Sequence, residues 1–214
     1  MLINNILVLG AKGQLGSEIE AISCDFHQYN FLFTDSFELD ITKHQLVNDY
    51  IEFNKINVII NCAAYTNVEK AESEPELADK INHIAVGNLA KTAKKKNIKL
   101  IHISTDYVFD GTQQEAYRED DSCVPVNAYG HSKWLGEDAC QKACEAYYIF
   151  RIQWLYGPGG AHFVGTMRQL MADKERLEVV DDQHGSLSYT PALARYVLAA
   201  LTQSVPYGVY HCTD

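Results

Sequence analysis

The start of the chain limits its fold more than any other stretch. Asn5–Leu9 (NILVL) is a short apolar run that ends in Gly10-Ala-Lys-Gly13-Gln-Leu-Gly16, and helical spacing takes over from Gln14 to Ile22. A continuous apolar run of that length reads as a strand buried on both faces. Glycines that follow such a strand permit a tight turn and let backbone amides at a helix N-terminus approach a pyrophosphate. The pattern is GxxGxxG rather than GxGxxG, and three glycines alone also describe a plain turn. The order of strand, loop and helix is what points to a dinucleotide site, with Gly10 and Gly13 at its centre.

The same rhythm continues along the chain. Tyr29–Thr34, Val58–Cys62, Lys99–Ser104 and Tyr147–Ile152 read as further strands. Helical spacing covers residues 43–53, 76–96 and 126–146, the second with Leu77, Ile81, Ile84, Ala85 and Leu89 on one stripe. Alternation of this kind predicts an α/β fold: a Rossmann-like, doubly wound parallel sheet. Lys94-Lys95-Lys96 falls at a predicted helix end, where cations complement the helix dipole. Beyond Trp154 the expected elements are a glycine-rich loop at 157–160, a helix over 162–174, a strand over 177–180, a helix over 191–201 and a final strand over 209–212. We expect a cofactor-binding domain over residues 1–153 and a partial substrate-binding region over 154–214.

Acidic residues near the first two strands bear on the cofactor. Asp35, just past the second strand, stands where a carboxylate usually holds an adenosine ribose and favours NADH. Lys12, inside the glycine loop, offsets that charge and allows NADPH; NADPH is the expected cofactor, with NADH as the alternative. Asp40-Ile41 falls at the adenine edge, although Asp40 also suits a helix N-cap.

Three residues carry the expected chemistry. Ser104-Thr105-Asp106 ends the fourth strand, and ligand crevices in open parallel sheets lie outside the carboxyl ends of the strands. Tyr129 and Lys133 form YxxxK, so one helical turn brings phenol and ammonium onto one face. A lysine cation there favours tyrosinate and is expected to lower the phenol's pKa from about 10. The tyrosine then exchanges a proton with a sugar oxygen that Thr105 also binds.

Composition removes other classes. The chain has 214 residues and a net charge of −10, the wrong sign for a nucleic-acid partner. No run is long and apolar enough for a membrane span, and Met1–Gly10 is too short for a signal peptide, so a cytoplasmic location is expected. The six cysteines form no CxxC pair and no zinc spacing, which predicts reduced thiols.

Several stretches resemble the extended short-chain dehydrogenases and, within them, the dTDP-4-dehydrorhamnose reductase family. They are Gly10–Gly16 (GAKGQLG), residues 61–72 (NCAAYTNVEKAE), 104–111 (STDYVFDG), Tyr129–Lys133, Arg151–Gly157 (RIQWLYG) and Asp182-Gln-His-Gly185. The resemblance implies Thr105, Tyr129 and Lys133 as the catalytic set. It implies a cofactor lining of Gly10, Gly13, Gln14, Leu15, Asp40, Ala63, Ala64 and Tyr65, with Tyr129 and Lys133 reaching it and Asn82 supporting the loop. Val68, Asp106, Tyr107 and Trp154 would meet the sugar nucleotide beside Thr105, though a tryptophan is often core. The implied reaction is reduction of the 4-keto group of dTDP-4-dehydro-6-deoxy-L-mannose to dTDP-L-rhamnose.

This chain departs from that family at Gly185-Ser-Leu187-Ser188, where Gly-x-Pro-Thr is usual, and at Thr190-Pro-Ala192, where an acidic residue is common. Some members hold magnesium between subunits through a glutamate matching Glu18; with its acidic partner absent near Thr190, no metal is expected here. Members are also longer, and the resemblance allows a homodimer. Two alternatives stay open: an NAD-dependent sugar-nucleotide epimerase or dehydratase, disfavoured because Tyr107 rather than glutamate follows Asp106, and a non-catalytic NADP-binding subunit like the β subunit of methionine adenosyltransferase.

Overall fold

A computed structural model of the chain describes residues 4–203 and 205–214; the first three residues of the N-terminal run lie outside this range. The strands are β1 (Asn4–Leu9), β2 (Tyr29–Thr34), β3 (Ile56–Asn61), β4 (Lys99–Thr105), β5 (Tyr147–Ile152), β6 (Leu155–Tyr156), β7 (Ser188–Tyr189) and β8 (Gly208–His211). The helices are α1 (Gln14–Ile22), α2 (His44–Phe53), α3 (Val68–Ser73), α4 (Pro75–Asp79), α5 (Ala85–Lys96), α6 (Ala128–Ala143), α7 (Phe163–Asp173) and α8 (Thr190–Thr202). Six strands make one parallel sheet in the order β2-β1-β3-β4-β5-β8, and β6 pairs with β7 beside it.

Apolar side chains leave both faces of this sheet, as near-continuous hydrophobic strands require. Leu7, Leu9, Ile59, Leu100 and Ile149 point to α2, α5 and α6, while Ile6, Val8, Ile60, Ile101 and Phe150 point to α1 and α8. The strand order reverses between β1 and β3, and Leu9, Asn61 and His102 stand in register across β1, β3 and β4. Crevices of doubly wound sheets open at that switch point, outside the carboxyl ends.

Several local expectations are corrected. The helix read over 76–96 is broken: α4 passes into a π-turn at Lys80–Ile84 before α5. The π-turn shifts the periodicity, so Leu77 and Ile84 face solvent instead of continuing the buried stripe. No strand forms over 177–180, where Val179 and Val180 are exposed with no neighbouring strand; the pairing falls to Ser188–Tyr189. Asp40 is not a helix N-cap, because α2 starts at His44. Its carboxylate instead accepts from the Thr42 N–H at 2.9 Å in a turn. The lysines ending α5 are partly paired, Lys94 with Glu145 and Lys96 with Glu52. Cys140 and Cys144 both face the core, and all six cysteines are unpaired.

Candidate active site

The glycine loop is wedged against the end of β3. Gly10 has φ +75°, and a Cβ there would lie 2.7 Å from the Ala63 nitrogen and 2.8 Å from its Cα. Only glycine fits this conformation and approach. Gly13 is the N-cap of α1 and supplies no side-chain cap, so first-turn N–H groups stay open to an anion. Gln14 Nε2 donates to the Ala161 carbonyl at 3.2 Å, and its Oε1 is buried with no partner among the described residues. Leu15 is buried beneath the loop. Open amides, a backbone cradle that any side chain would fill and a spare acceptor fit a dinucleotide.

Asp35 and Lys12 meet at the end of β2 as an ion pair. Asp35 Oδ1 also accepts from the Phe37 and Glu38 N–H groups, at 2.8 and 3.2 Å. The hydrogen bond from Lys12 holds its carboxyl below the usual range. A carboxylate with its charge matched in this way no longer repels a 2′-phosphate outright. Asp40 stands half-buried after β2, whereas the Ile41 side chain is taken up by the core on the α5 side, which leaves only its backbone for an adenine.

Ala63, Ala64 and Tyr65 follow β3 and are half-buried. Asn61 Oδ1 accepts from the Ala63 N–H at 3.2 Å. Asn82, fully buried in the π-turn, clamps Tyr65: its Oδ1 accepts from the Tyr65 N–H and its Nδ2 donates to the Tyr65 carbonyl, both at 2.9 Å. The same Nδ2 donates to Ser132 Oγ of α6 at 3.0 Å, tying the cofactor-side loop to the YxxxK helix. π-turns inside helices often mark such sites.

On α6, Tyr129 and Lys133 lie one turn apart, both nearly sealed from solvent. Lys133 Nζ donates to the Ile103 carbonyl at 2.6 Å, just past the last β3–β4 pairing, Asn61 with His102. Burial lowers the lysine's pKa to about 8, opposed by Glu137 and Cys62. Burial pushes the Tyr129 phenol up to about 12, opposed by its hydrogen bond with Thr105 and reinforced by Asp106 and Tyr107. This corrects the expectation of a lowered phenol. In the protein alone, desolvation dominates and Tyr129 stays protonated; Lys133 is not among the groups that shift it. His102, fully buried, accepts at Nδ1 from Asn61 Nδ2 at 3.1 Å, and burial holds its pKa well below 6.5, so it stays neutral.

Thr105 closes the set from the end of β4. Its hydroxyl donates to Asp106 Oδ1 at 3.0 Å, and its oxygen accepts from the Tyr107 N–H at 3.3 Å. The Tyr107 ring meets Tyr129 edge-on at 5.6 Å, and Val68, Tyr65 and Ala128 complete the wall around the phenol. Trp154 is half-buried and stacks on Phe163 at 6.1 Å, with its backbone in the left-handed region at φ +39°. Such a conformation is costly for an aromatic residue and marks a position the surroundings hold in place. The structure thus brings Thr105, Asp106, Tyr107, Val68, Tyr129 and Lys133 together, with the glycine loop and residues 63–65 at the neighbouring strand ends. A groove of about 620 Å³ between α5 and α6 includes none of them.

Two polar residues beside the site were not singled out from the sequence. Glu137, one turn beyond Lys133, is buried against Arg151 of β5, with Arg151 Nη2 donating to Glu137 Oε2 at 2.7 Å. Its i,i+4 spacing from Lys133 was the available signal. Gln153, just after β5, gives no such signal, since its partners come from distant stretches. Among the described residues no group of His, Cys, Asp and Glu is arranged to hold a metal, and no helix is long and apolar enough to cross a membrane.

A family model described as the RmlD substrate binding domain matches residues 4–214. A dTDP-4-dehydrorhamnose reductase of Aggregatibacter actinomycetemcomitans is 38 % identical over 213 residues, covering 97 % of this chain and 72 % of the relative. The chain belongs to the dTDP-4-dehydrorhamnose reductase family. A family member from Bacillus anthracis, solved in complex with NADP, superposes with a TM-score of 0.94 at 37 % identity, covering all of this chain and 75 % of that one. Another, from Clostridium acetobutylicum, gives 0.93 at 42 % identity, covering 98 % and 74 %. The chain therefore spans about three quarters of these family members.

Proposed function

We propose that this chain uses NADPH to reduce the 4-keto group of dTDP-4-dehydro-6-deoxy-L-mannose, giving dTDP-L-rhamnose. The observation that carries this reading is the buried, protonated phenol of Tyr129, in contact with Thr105 and one turn from Lys133, at the sheet edge next to an open glycine loop. Family membership and the NADP complex of the Bacillus anthracis family member support the choice of cofactor.

When bound, the nicotinamide supplies the hydride. The chain's own residues do the rest. Gly10, Gly13 and the first turn of α1 hold the pyrophosphate, with Gln14 and Leu15 beside it. The Lys12–Asp35 pair meets the adenosine ribose, with Asp40 and the Ile41 backbone near the adenine. Ala63, Ala64 and Tyr65 line the cofactor from β3. Tyr129 gives its proton to the developing alkoxide, Thr105 orients that oxygen, and the Lys133 ammonium stabilises the tyrosinate left behind. A phenol that is neutral at working pH suits the donor role in reduction. Val68, Asp106, Tyr107 and Trp154 face the sugar nucleotide.

Residues 1–153 then form most of the cofactor domain, which β8 extends by pairing with β5 and α8 covers on one face, and the substrate side falls within 154–214 outside those two elements, in a cytoplasmic enzyme. The test is NADPH oxidation with the 4-keto sugar nucleotide, monitored at saturating cofactor. Turnover that depends on the sugar supports the reading. Tight NADPH binding without turnover points instead to a non-catalytic cofactor-binding role.

A further inference from the structure

Residues 157–162 (GPGGAH) form a turn that touches three helices at three points. At its start, Gly157 presses on the first residue of α8: a Cβ there would come within 1.8 Å of Thr190 Oγ1, and Thr190 is buried. At its tip, Gln14 Nε2 of α1 donates to the Ala161 carbonyl at 3.2 Å. Gly160 lies against the same side chain, with φ +78°, and a Cβ there would be 2.6 Å from Gln14 Cγ. At its exit, His162 caps α7: its Nδ1 accepts from the Gly165 N–H at 3.0 Å. Nδ1 is therefore the bare nitrogen, so Nε2 carries the proton and donates to the Gly157 carbonyl at 3.0 Å, which closes the turn into a ring.

Gln14 is also the first residue of α1, directly after the Gly13 N-cap, so its backbone N–H is one of the first-turn groups open to an anion. One residue thus faces the dinucleotide site with its backbone and holds the turn with its side chain. The Gln14–Ala161 hydrogen bond is single and exposed to water, so it opens readily unless its donor is held in place. Little else fixes α7: none of its residues is buried, and its first residue, Phe163, stacks on Trp154 at 6.1 Å. We propose that the 157–162 turn is a latch coupling the glycine loop to α7. Gln14, immobilised when the pyrophosphate site is occupied, holds the Ala161 carbonyl, and the adjoining His162 cap then orders the first turn of α7. Gln14 and His162 are its positioning residues. This coupling rests on the dinucleotide reading of the glycine loop. Its consequence is an order of assembly: the cofactor side, once filled, steadies the Trp154–Phe163 pair, which the reductase reading gives to the sugar nucleotide, before the sugar arrives.

The experiment is hydrogen–deuterium exchange with and without saturating NADPH, on the unaltered chain and on Gly160→Ala, His162→Ala and His162→Asn. In the unaltered chain NADPH should slow exchange in the glycine loop and α1. It should also slow exchange in the peptide that opens α7, by roughly five- to tenfold, the scale of one helix cap. Gly160→Ala forces the tip of the turn off Gln14, so it should keep the response at the glycine loop and lose the one at α7. His162→Ala should speed α7 exchange and abolish its response to NADPH, and His162→Asn, which returns an N-cap acceptor, should restore both. A role confined to capping α7 would change its exchange in His162→Ala but give it no dependence on NADPH in the unaltered chain. An α7 indifferent to NADPH while the glycine loop is protected, or an α7 response that survives in Gly160→Ala, overturns the latch and leaves the dinucleotide reading intact. A glycine loop that NADPH does not protect removes that reading, and the latch with it.

Discussion

On the α6 side of the site, Thr105, Tyr129 and Lys133 are 5, 8 and 2 % exposed, and each is held by the sheet or by its own helix. On the opposite side, α7 has no buried residue, and Phe163, Met171, Val179 and Val180 are each more than half exposed. The first side is built as core and the second as surface. The protonation states of the chemistry are set by interior packing, whereas the sugar-facing side is joined to it by a few single contacts, Gln153 and the Trp154–Phe163 stack among them. Substitutions on the two sides should therefore fail in different ways.

The largest effect belongs to the interior side. Glu137→Gln removes the partner of a buried Arg151 and should cost roughly 3–5 kcal/mol of stability, read as a lowered denaturant midpoint. A loss within ~1 kcal/mol would mean that this pair behaves as a surface contact and that the contrast between the two sides is overdrawn. Gly10→Ala should come next. It forces a left-handed backbone and a contact with Ala63, costing about 1–3 kcal/mol and weakening NADPH binding together with stability. Gly13→Val, whose backbone has an ordinary φ of −74°, should weaken NADPH binding while leaving the unfolding midpoint nearly unchanged. Equal affinity in both variants would take the loop out of the account.

A smaller effect is expected from pH. Burial favours the neutral amine of Lys133 and brings its pKa to about 8, while Tyr129 at about 12 stays protonated across the working range. The ammonium is thus the group lost first. Keto reduction should decline as pH rises through about 8, by about tenfold per unit once the amine dominates. A flat profile to pH 10 would contradict the assigned role of the lysine. The smallest effect falls on the surface side. Trp154→Ala removes one stacked aromatic contact, worth about 1 kcal/mol, and should raise KM for the sugar nucleotide a few-fold with kcat and NADPH affinity unaltered.

What the sequence revealed follows the same division. Strand, glycine loop and helix were legible because apolar runs and glycine spacing report directly on burial and on backbone geometry. Tyr129 and Lys133 were legible because helical periodicity fixes their shared face. The π-turn was not, since it depends on Asn82 clamping Tyr65 and reaching Ser132, contacts made far along the chain. The strand expected at 177–180 failed because an apolar run supplies no partner, and here none lies alongside. The direction of the Tyr129 shift was misread because spacing shows the lysine but not the depth of burial. Gln153 was invisible for the same reason: its partners, Ser186 and Ser188, are brought to it only by the fold.

The most direct test of the central claim is the position of the nicotinamide in a crystal structure of this chain with NADPH. The pyrophosphate should lie over Gly10 and Gly13, and the ring's reactive carbon on the face shared by Tyr129 and Thr105, leaving room for a carbonyl within about 3–3.5 Å of the carbon. A nicotinamide bound elsewhere, or a Tyr129 hydroxyl turned away from the ring, would contradict it.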